Sequence, residues 1–422
     1  MKSCVLRAAS CVLVLLSGTA GLAQDPGRRT QDSGPRSFVL SGYLTGRGAY
    51  VNSQPSWLEG GFGRFGVGAE SPHGDAFRGY GSLQVGADYT PNPWFTAHAQ
   101  AIARAEPSGS KGKRAGVVEA YAELHGESWR VRAGQFFLGT SRENIEPLWS
   151  SPYTITWSAL NTWIGEEFRP VGVDAQWSPS FYATVGGTAF RNNDTSGALL
   201  AWRGWAVGNR LTVYNEVLPL PPLFSLPTAF DDQRHDGTKP FGRDLDGRTG
   251  YSLRARLSLP ERAMLQLTHV DNRGDRQEYP SGPGIEYSWA TRFDMIGAQI
   301  GTTSPTTLLA EYAWGSTGMG SVPNFVDAGF YAGYVMVSHK SARFRTSARI
   351  DTFGTSDRDH ILEDNSEHGI GWTLAAFYEP TDRVRAGIEF SSVSARRSAA
   401  AQSGFDPNTD GKTVTVELRY RY

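Results

Sequence analysis

An all-β chain, closed into a transmembrane antiparallel barrel, follows from three observations on the 422-residue sequence. Short stretches alternate apolar and polar residues with a period of two, the mark of strands with one face in an apolar medium and one in water. Very short turns rich in Pro, Gly, Asn and Ser alternate strictly with long polar connections, as in a barrel with tight turns on one side of the membrane and loops on the other. Large aromatics cluster on the apolar face beside the short turns, where an amphipathic ring suits the headgroup boundary.

The first 23 residues, MKSCVLRAASCVLVLLSGTAGLA, carry Lys2 and Arg7, then an apolar stretch over about 8–16, then a small-residue ending. This is the pattern of a secretory signal peptide cleaved after Ala23, and its apolar core is shorter than the roughly 20 residues of a spanning helix. Both cysteines, Cys4 and Cys11, lie inside it, so the exported chain is expected to use no disulfide. Without Lys2 and Arg7 the 41 basic residues become 39, against 42 acidic ones, a net charge of −3. That balance gives nucleic acid no electrostatic footing as a partner. Hydrophobic content is 39%, below the roughly 45–50% of ordinary globular domains, while 49 Gly, 12 Trp, 17 Tyr and 21 Phe are all generous numbers. Beyond the signal no stretch approaches the 18 apolar residues of a transmembrane helix. An outer-membrane barrel meets every one of these conditions, and a periplasmic all-β protein would share most of them.

Residues 24–36 form a polar periplasmic entry segment, and 37–422 a single barrel domain. The clearest hairpins turn at Pro91-Asn92-Pro93, Gly126-Glu127-Ser128, Ser178-Pro179-Ser180, Pro260-Glu261 and Pro380-Thr381-Asp382. Weaker ones turn near Gly208-Asn209, Ser304-Pro305 and Lys340-Ser341. Long connections are expected at about 52–76, 106–114, 139–167, 191–200, 218–247, 272–286, 317–328, 354–367 and 396–411. Eight short turns and two termini on one side predict about 18 strands, with 16 as the fallback because the Gly208-Asn209 hairpin is the least regular.

Outward-facing Tyr89, Trp94, Trp129, Trp177, Phe181, Tyr378, Tyr420 and Tyr422 sit beside the short turns and face outer-membrane lipid. The other face carries Glu119, Glu123, Arg130, Arg132, Asp174, Arg254, Arg256, Glu311, Arg343, Arg345, Arg349, Asp351, Arg385, Glu389, Glu417, Arg419 and Arg421. So many charges need water, and 16–18 strands enclose room for it. Among these the expected pore lining is Arg130, Arg132, Arg254, Arg256, Arg343, Arg345, Arg349, Glu119, Glu123 and Asp174.

The connection 139–167 carries seven large apolar residues, Trp149, Tyr153, Ile155, Trp157, Leu160, Trp163 and Ile164, and packs most simply against the inner wall. As the third long loop it resembles the constricting third loop of trimeric bacterial porins. The stretch "VRAGQFFLGTSREN…EEFRPVGVDAQW" within 131–177 also resembles the phosphate-selective type, in which a strand ending in Gly-Gln-Phe precedes that loop. The final strand, "TVTVELRYRY", is similar to the terminal signal that outer-membrane proteins present to the barrel-assembly machinery, which makes Tyr422 the assembly signal. The resemblance implies passive diffusion of small hydrophilic solutes through a homotrimer without a cofactor or metal. The substrate does not carry over, since the mature lysines Lys111, Lys113, Lys239, Lys340 and Lys412 all fall in expected loops or turns.

Evenly spaced arginines, Arg130 and Arg132, Arg254 and Arg256, and Arg343, Arg345 and Arg349, form ladders whose guanidinium forks suit passing anions. Glu143, Glu146, Glu166 and Glu167 at the ends of the inward loop oppose them, so any anion preference is weak. These charges equally suit pairing across neighbouring strands, which only stiffens the wall. Two other classes compete. A barrel-embedded hydrolase would use His98 or His125, neither in a nucleophile motif, and a divalent cation would use the loop cluster Asp357, Asp359, His360, Glu363, Asp364 and His368. An adhesin or other partner-binding barrel would use the Pro-rich segment 217–228, VLPLPPLFSLPT.

Overall fold

The computed structural model describes residues 37–71, 74–233, 237–281 and 284–422. The expected signal peptide and entry segment lie outside the described residues. Among those described, sixteen antiparallel strands close into one barrel. They are β1 (Ser37–Ser53), β2 (Gly74–Asn92), β3 (Phe95–Ala105), β4 (Ala115–His125), β5 (Trp129–Gln135), β6 (Val171–Ser180), β7 (Ala183–Arg191), β8 (Gly250–Leu259), β9 (Ala263–Asp271), β12 (Ala290–Ile300), β13 (Thr306–Ser321), β14 (Asn324–Ser341), β15 (Phe344–Asp357), β16 (Glu367–Thr381), β17 (Val384–Arg397) and β18 (Asn408–Arg421). A separate hairpin, β10 (Glu278–Ser281) and β11 (Gly284–Tyr287), stands in the fifth long loop.

The period-two pattern sets each strand's faces. In β18, Val414, Val416 and Leu418 point away from the barrel while Thr413, Thr415 and Glu417 are buried inside it. β18 closes on β1 with Tyr43 opposite Arg421 and Asn52 opposite Lys412. A register shift between Gln100 and Ala101 on β3 puts a bulge in β4, so Val118 and Glu119 are both buried instead of alternating.

Seven short turns are formed, so the barrel is the sixteen-stranded fallback. The eighth, expected at Gly208-Asn209, does not exist: residues 192–249 are one long fourth loop containing α2 (Ala198–Trp202). Its alternating side chains pack inside the barrel, and Gly208 there exchanges hydrogen bonds with Trp157 and Thr162. Amphipathic alternation was present, but its apolar face meets protein and not lipid. The expected connection 317–328 is likewise mostly strand, since β13 and β14 run on to a two-residue turn at 322–323. The wall is uneven, with 7–11 residues per strand over β3–β9 against 14–18 over β13–β18.

The largest apolar cluster lies inside the barrel towards the long-loop end. Trp163 of the third loop packs against Phe168, Trp205, Phe293 and Phe330 with ring centroids 4.7–5.6 Å away. Many inward positions near the long-loop ends of the strands are therefore apolar, including Val270, Phe293, Phe330, Phe353 and Val393, with the buried pair Glu367 and Arg397 as an exception. Charged inward residues dominate the half nearer the short turns.

Candidate channel lumen and constriction

The third long loop, residues 136–170, lies inside the barrel, as its apolar content predicts. Its helix α1 (Ala159–Glu167) is fully buried and starts at an N-cap, Ser158, whose side chain accepts from Asn161 N, which satisfies one of the helix's free N–H groups. Four charged wall residues clamp the loop to one side. Arg349 reaches Glu143 at 2.7 Å and Asp351 at 2.8 Å, and donates to the carbonyls of Thr156 and Trp157. Glu389 accepts from Ile155 N, Thr156 N and the Thr156 hydroxyl. Asp351 accepts from Ala159 N at 3.1 Å, and Glu311 from Asn161 Nδ2 and Arg142 N at 2.8 Å each. Charges buried this deeply persist only when paired and hydrogen-bonded. Each of these is.

The loop's acids are consumed by that anchoring instead of facing a channel. Glu143 belongs to the Arg349 clamp. Glu166 pairs with Arg203 of the fourth loop at 2.9 Å, and burial raises its carboxyl. Glu167 accepts from Trp163 Nε1, Gly197 N and Leu199 N; burial pushes its carboxyl up to about 7 against the lowering effect of those donors. Only Glu146 reaches across to the far wall, at 3.3 Å from Arg421 and 3.9 Å from Arg419. Trp149 stacks on Phe137 with centroids 4.3 Å apart and meets Trp157 edge-on. Of the expected opposition of loop acids to wall arginines, Glu143 to Arg349 and Glu146 to Arg419 and Arg421 remain, while Glu166 and Glu167 take no part in it.

On the wall, the expected ladders converge on Asp174, which lies 2.7 Å from Arg254, 3.4 Å from Arg132 and 3.9 Å from Arg130. Arg130 also stands 3.7 Å from Glu123. Arg256 donates to Thr184, and Arg345 donates to Ser338 and lies over the Tyr153 ring. Glu119 accepts from Phe137 N at the root of the third loop. Arg343 is an exception: it occupies the exposed short turn between β14 and β15 and lines nothing. Glu417 is shared by Arg47 at 2.8 Å, Arg385 at 2.9 Å and Arg419 at 3.4 Å. Leaving aside Arg349, whose charge Glu143 and Asp351 take up, Arg47, Arg130, Arg132, Arg254, Arg256, Arg345, Arg385, Arg419 and Arg421 outnumber Glu123, Glu146, Asp174 and Glu417, the carboxylates paired with them. Pairing across strands is thus real, but it leaves a surplus of positive charge.

A cavity of about 90 Å³ runs between the third loop and the wall formed by β1, β2, β3 and β18. Arg47, Tyr80, Arg104 and Arg419 line its wall side, Ser151, Thr154, Thr156 and Trp157 its third-loop side, and Arg210 of the fourth loop one end. Sequence reading passed over Arg47, Arg104 and Arg210. Arg47 and Arg104 sit at inward positions of alternating strands, so the period alone would have found them; Arg210 lay inside the supposed hairpin.

The features behind the rival readings resolve differently. The Pro-rich segment is folded in, with Leu218, Leu220, Leu223 and Leu226 buried against Trp57 and Trp202. His98 lies 3.0 Å from Asp88 and stacks on Tyr121. The acidic cluster of 357–368 does not gather: Asp357 caps Asp359 and Asn365, and Glu363 accepts from Ser225. Among the described residues, the carboxylates that do approach are Asp194, Asp244 and Asp246, their oxygens within 4.8 Å of one another. These already accept from Leu245 N, Gly247 N and Ser288 Oγ.

No family model matches the chain, and no curated protein matches its sequence. Solved structures do match in fold. The outer membrane channel DcaP of Acinetobacter baumannii superposes with a TM-score of 0.59 at 12% identity, over 93% of this chain and 99% of that one. The anion-selective porin from Comamonas acidovorans gives 0.52 at 10% identity, over 92% and 100%. The trimer form of OmpT, an outer membrane protein of Vibrio cholerae, gives 0.52 at 9% identity, over 92% and 100%.

Proposed function

We propose that this chain is an outer-membrane porin, a water-filled channel for passive diffusion of small hydrophilic solutes with a weak preference for anions. The single observation that carries this is a closed sixteen-stranded barrel whose outer face is apolar and whose inner face, over the short-turn half, is lined by arginines and carboxylates. A packed core would not take such a lining. A sixteen-stranded wall leaves space for water. The short turns then face the periplasm and the long loops the outside. A homotrimer fits, with the named trimer form among similar structures as support. The arginine surplus supports the anion preference, and the single loop carboxylate left facing the lumen, Glu146, keeps it modest. The buried Pro-rich segment removes the feature that favoured an adhesin, and the reading is of a channel, not an enzyme.

Liposome swelling tests this directly. Vesicles holding the folded protein should swell in neutral sugars, amino acids and small organic anions at rates falling with solute size, and somewhat faster for anions. Swelling no faster than in protein-free vesicles contradicts the reading.

A further inference from the structure

The end of the cavity nearest the long loops is built by three separate segments, and one of them is the fourth loop. Arg104, at the top of β3, donates through Nη2 to the Leu211 carbonyl at 2.5 Å. Arg210 pairs with Glu106 and with Glu216. Glu216 also accepts from Lys113 N at 2.8 Å, and Lys113 Nζ donates to the Tyr214 carbonyl. Contact between the second and fourth loops is close enough that a Cβ on Gly112, whose φ is +96°, would come within 2.6 Å of Arg210 Nη2 and Glu216 Oε1. Arg210 is thus held firmly.

Two features of this corner point to a ligand. Arg104 Nε and Nη1 and Arg210 Nε are buried without a hydrogen-bond partner, although both residues line the cavity; Arg104 Nη1 has only the longer ion-pair contacts to Glu106 at 3.8 Å and Glu216 at 4.0 Å. A buried N–H of a guanidinium left unpaired is costly, more so than for a neutral donor. Charge is the second feature. Arg104, Arg210, Lys111, Lys113 and Arg114 outnumber Glu59, Glu106 and Glu216 in this corner, and Lys111, Lys113 and Arg114 are exposed at its rim. Exposed bases above partly unpaired guanidinium groups attract and then dock an anion.

We infer that Arg104 and Arg210 form a binding station for small oxyanions, carboxylate or phosphate, at the long-loop entrance of the channel, with its decisive contact supplied by the fourth loop. This deepens the anion preference proposed above and rests on it. Two anionic oxygens would meet guanidinium N–H groups from both sides, while the facing third-loop wall, with Ser151, Thr154, Ile155, Thr156 and Trp157, carries no charged side chain. The station therefore grips one end of a solute and leaves the rest free to move on.

Calorimetric titration of the folded, detergent-solubilised protein with inorganic phosphate and with acetate tests it, alongside block of single-channel chloride current by the same two salts. Saturable binding of either, weakened about tenfold by Arg210→Gln, the scale expected for losing one charged hydrogen bond, supports the station. Arg210→Lys should fall between, keeping the charge but not the fork, and Arg383→Gln in a short turn should change nothing. Which salt binds tells carboxylate from phosphate. Absence of saturable binding by both, or binding unaltered in Arg210→Gln protein of native heat-modifiability, overturns the station. Open chloride channels with no binding would sink the station alone, whereas binding without any conductance would sink the porin reading alone.

Discussion

Arg349 shows what a single buried charge does in this molecule. It is completely covered and touches two carboxylates and two third-loop carbonyls. Replacing it with Met would strand Glu143 and Asp351 without their partner, a change that costs about 3–5 kcal/mol when a buried pair is broken. Urea unfolding in detergent should show that loss, and adding Glu143→Gln should recover part of it. Asp194 of the fourth loop makes the opposite case. Burial, then the charges of Asp246 and Asp244, push its carboxyl up to about 7, against hydrogen bonds that lower it. A raised carboxyl adds stability that is complete below its ordinary value near 4 and lost as pH rises through about 7. Asp194→Asn should therefore melt at a higher temperature than wild type at pH 8, and the gap should close at pH 4. A gap that widens towards pH 4 would contradict the assignment.

At the scale of elements, the third loop is legible in the sequence and the fourth is not. Seven large apolar residues in a connection have no reason to face water, and Trp157, Leu160, Trp163 and Ile164 are buried as that predicts. Residues 201–217 instead carry strand-like alternation, which cannot say whether the apolar medium is lipid or the inside of a barrel already holding another loop. The same ambiguity misassigned the loop acids: Glu166 and Glu167 read as channel-facing charges, yet Arg203 and the backbone of residues 197–199 claim them. Partners that far away in sequence leave no local signal. Glu389 anchors the loop's middle, so Glu389→Ala should free Ile155 and Thr156 and widen the passage. Single-channel records should then show larger and noisier steps; unchanged conductance would mean that the other clamps suffice.

For the whole molecule, closure depends on β18 meeting β1. Tyr422 ends the chain with its hydroxyl donating to the Gln84 carbonyl at 3.1 Å and its ring over Gly42, where a Cβ would lie 2.3 Å from it. Deleting Tyr422 should lower the yield of folded, heat-modifiable protein while leaving single-channel conductance unchanged, because the residue lies outside the lumen. Strand pattern, turn asymmetry and aromatic placement were enough to give a barrel and bracket its strand number, since those features act within a few residues of one another. The cavity beside β1, β2, β3 and β18 was not readable, because it is what remains after two loops fold inward. Passage of solute through that remaining space is tested most directly by recordings across planar bilayers. Purified, heat-modifiable protein should give stable open steps, with a reversal potential in a KCl gradient displaced modestly towards chloride. Folded protein that never opens, or a channel strongly selective for cations, would contradict it.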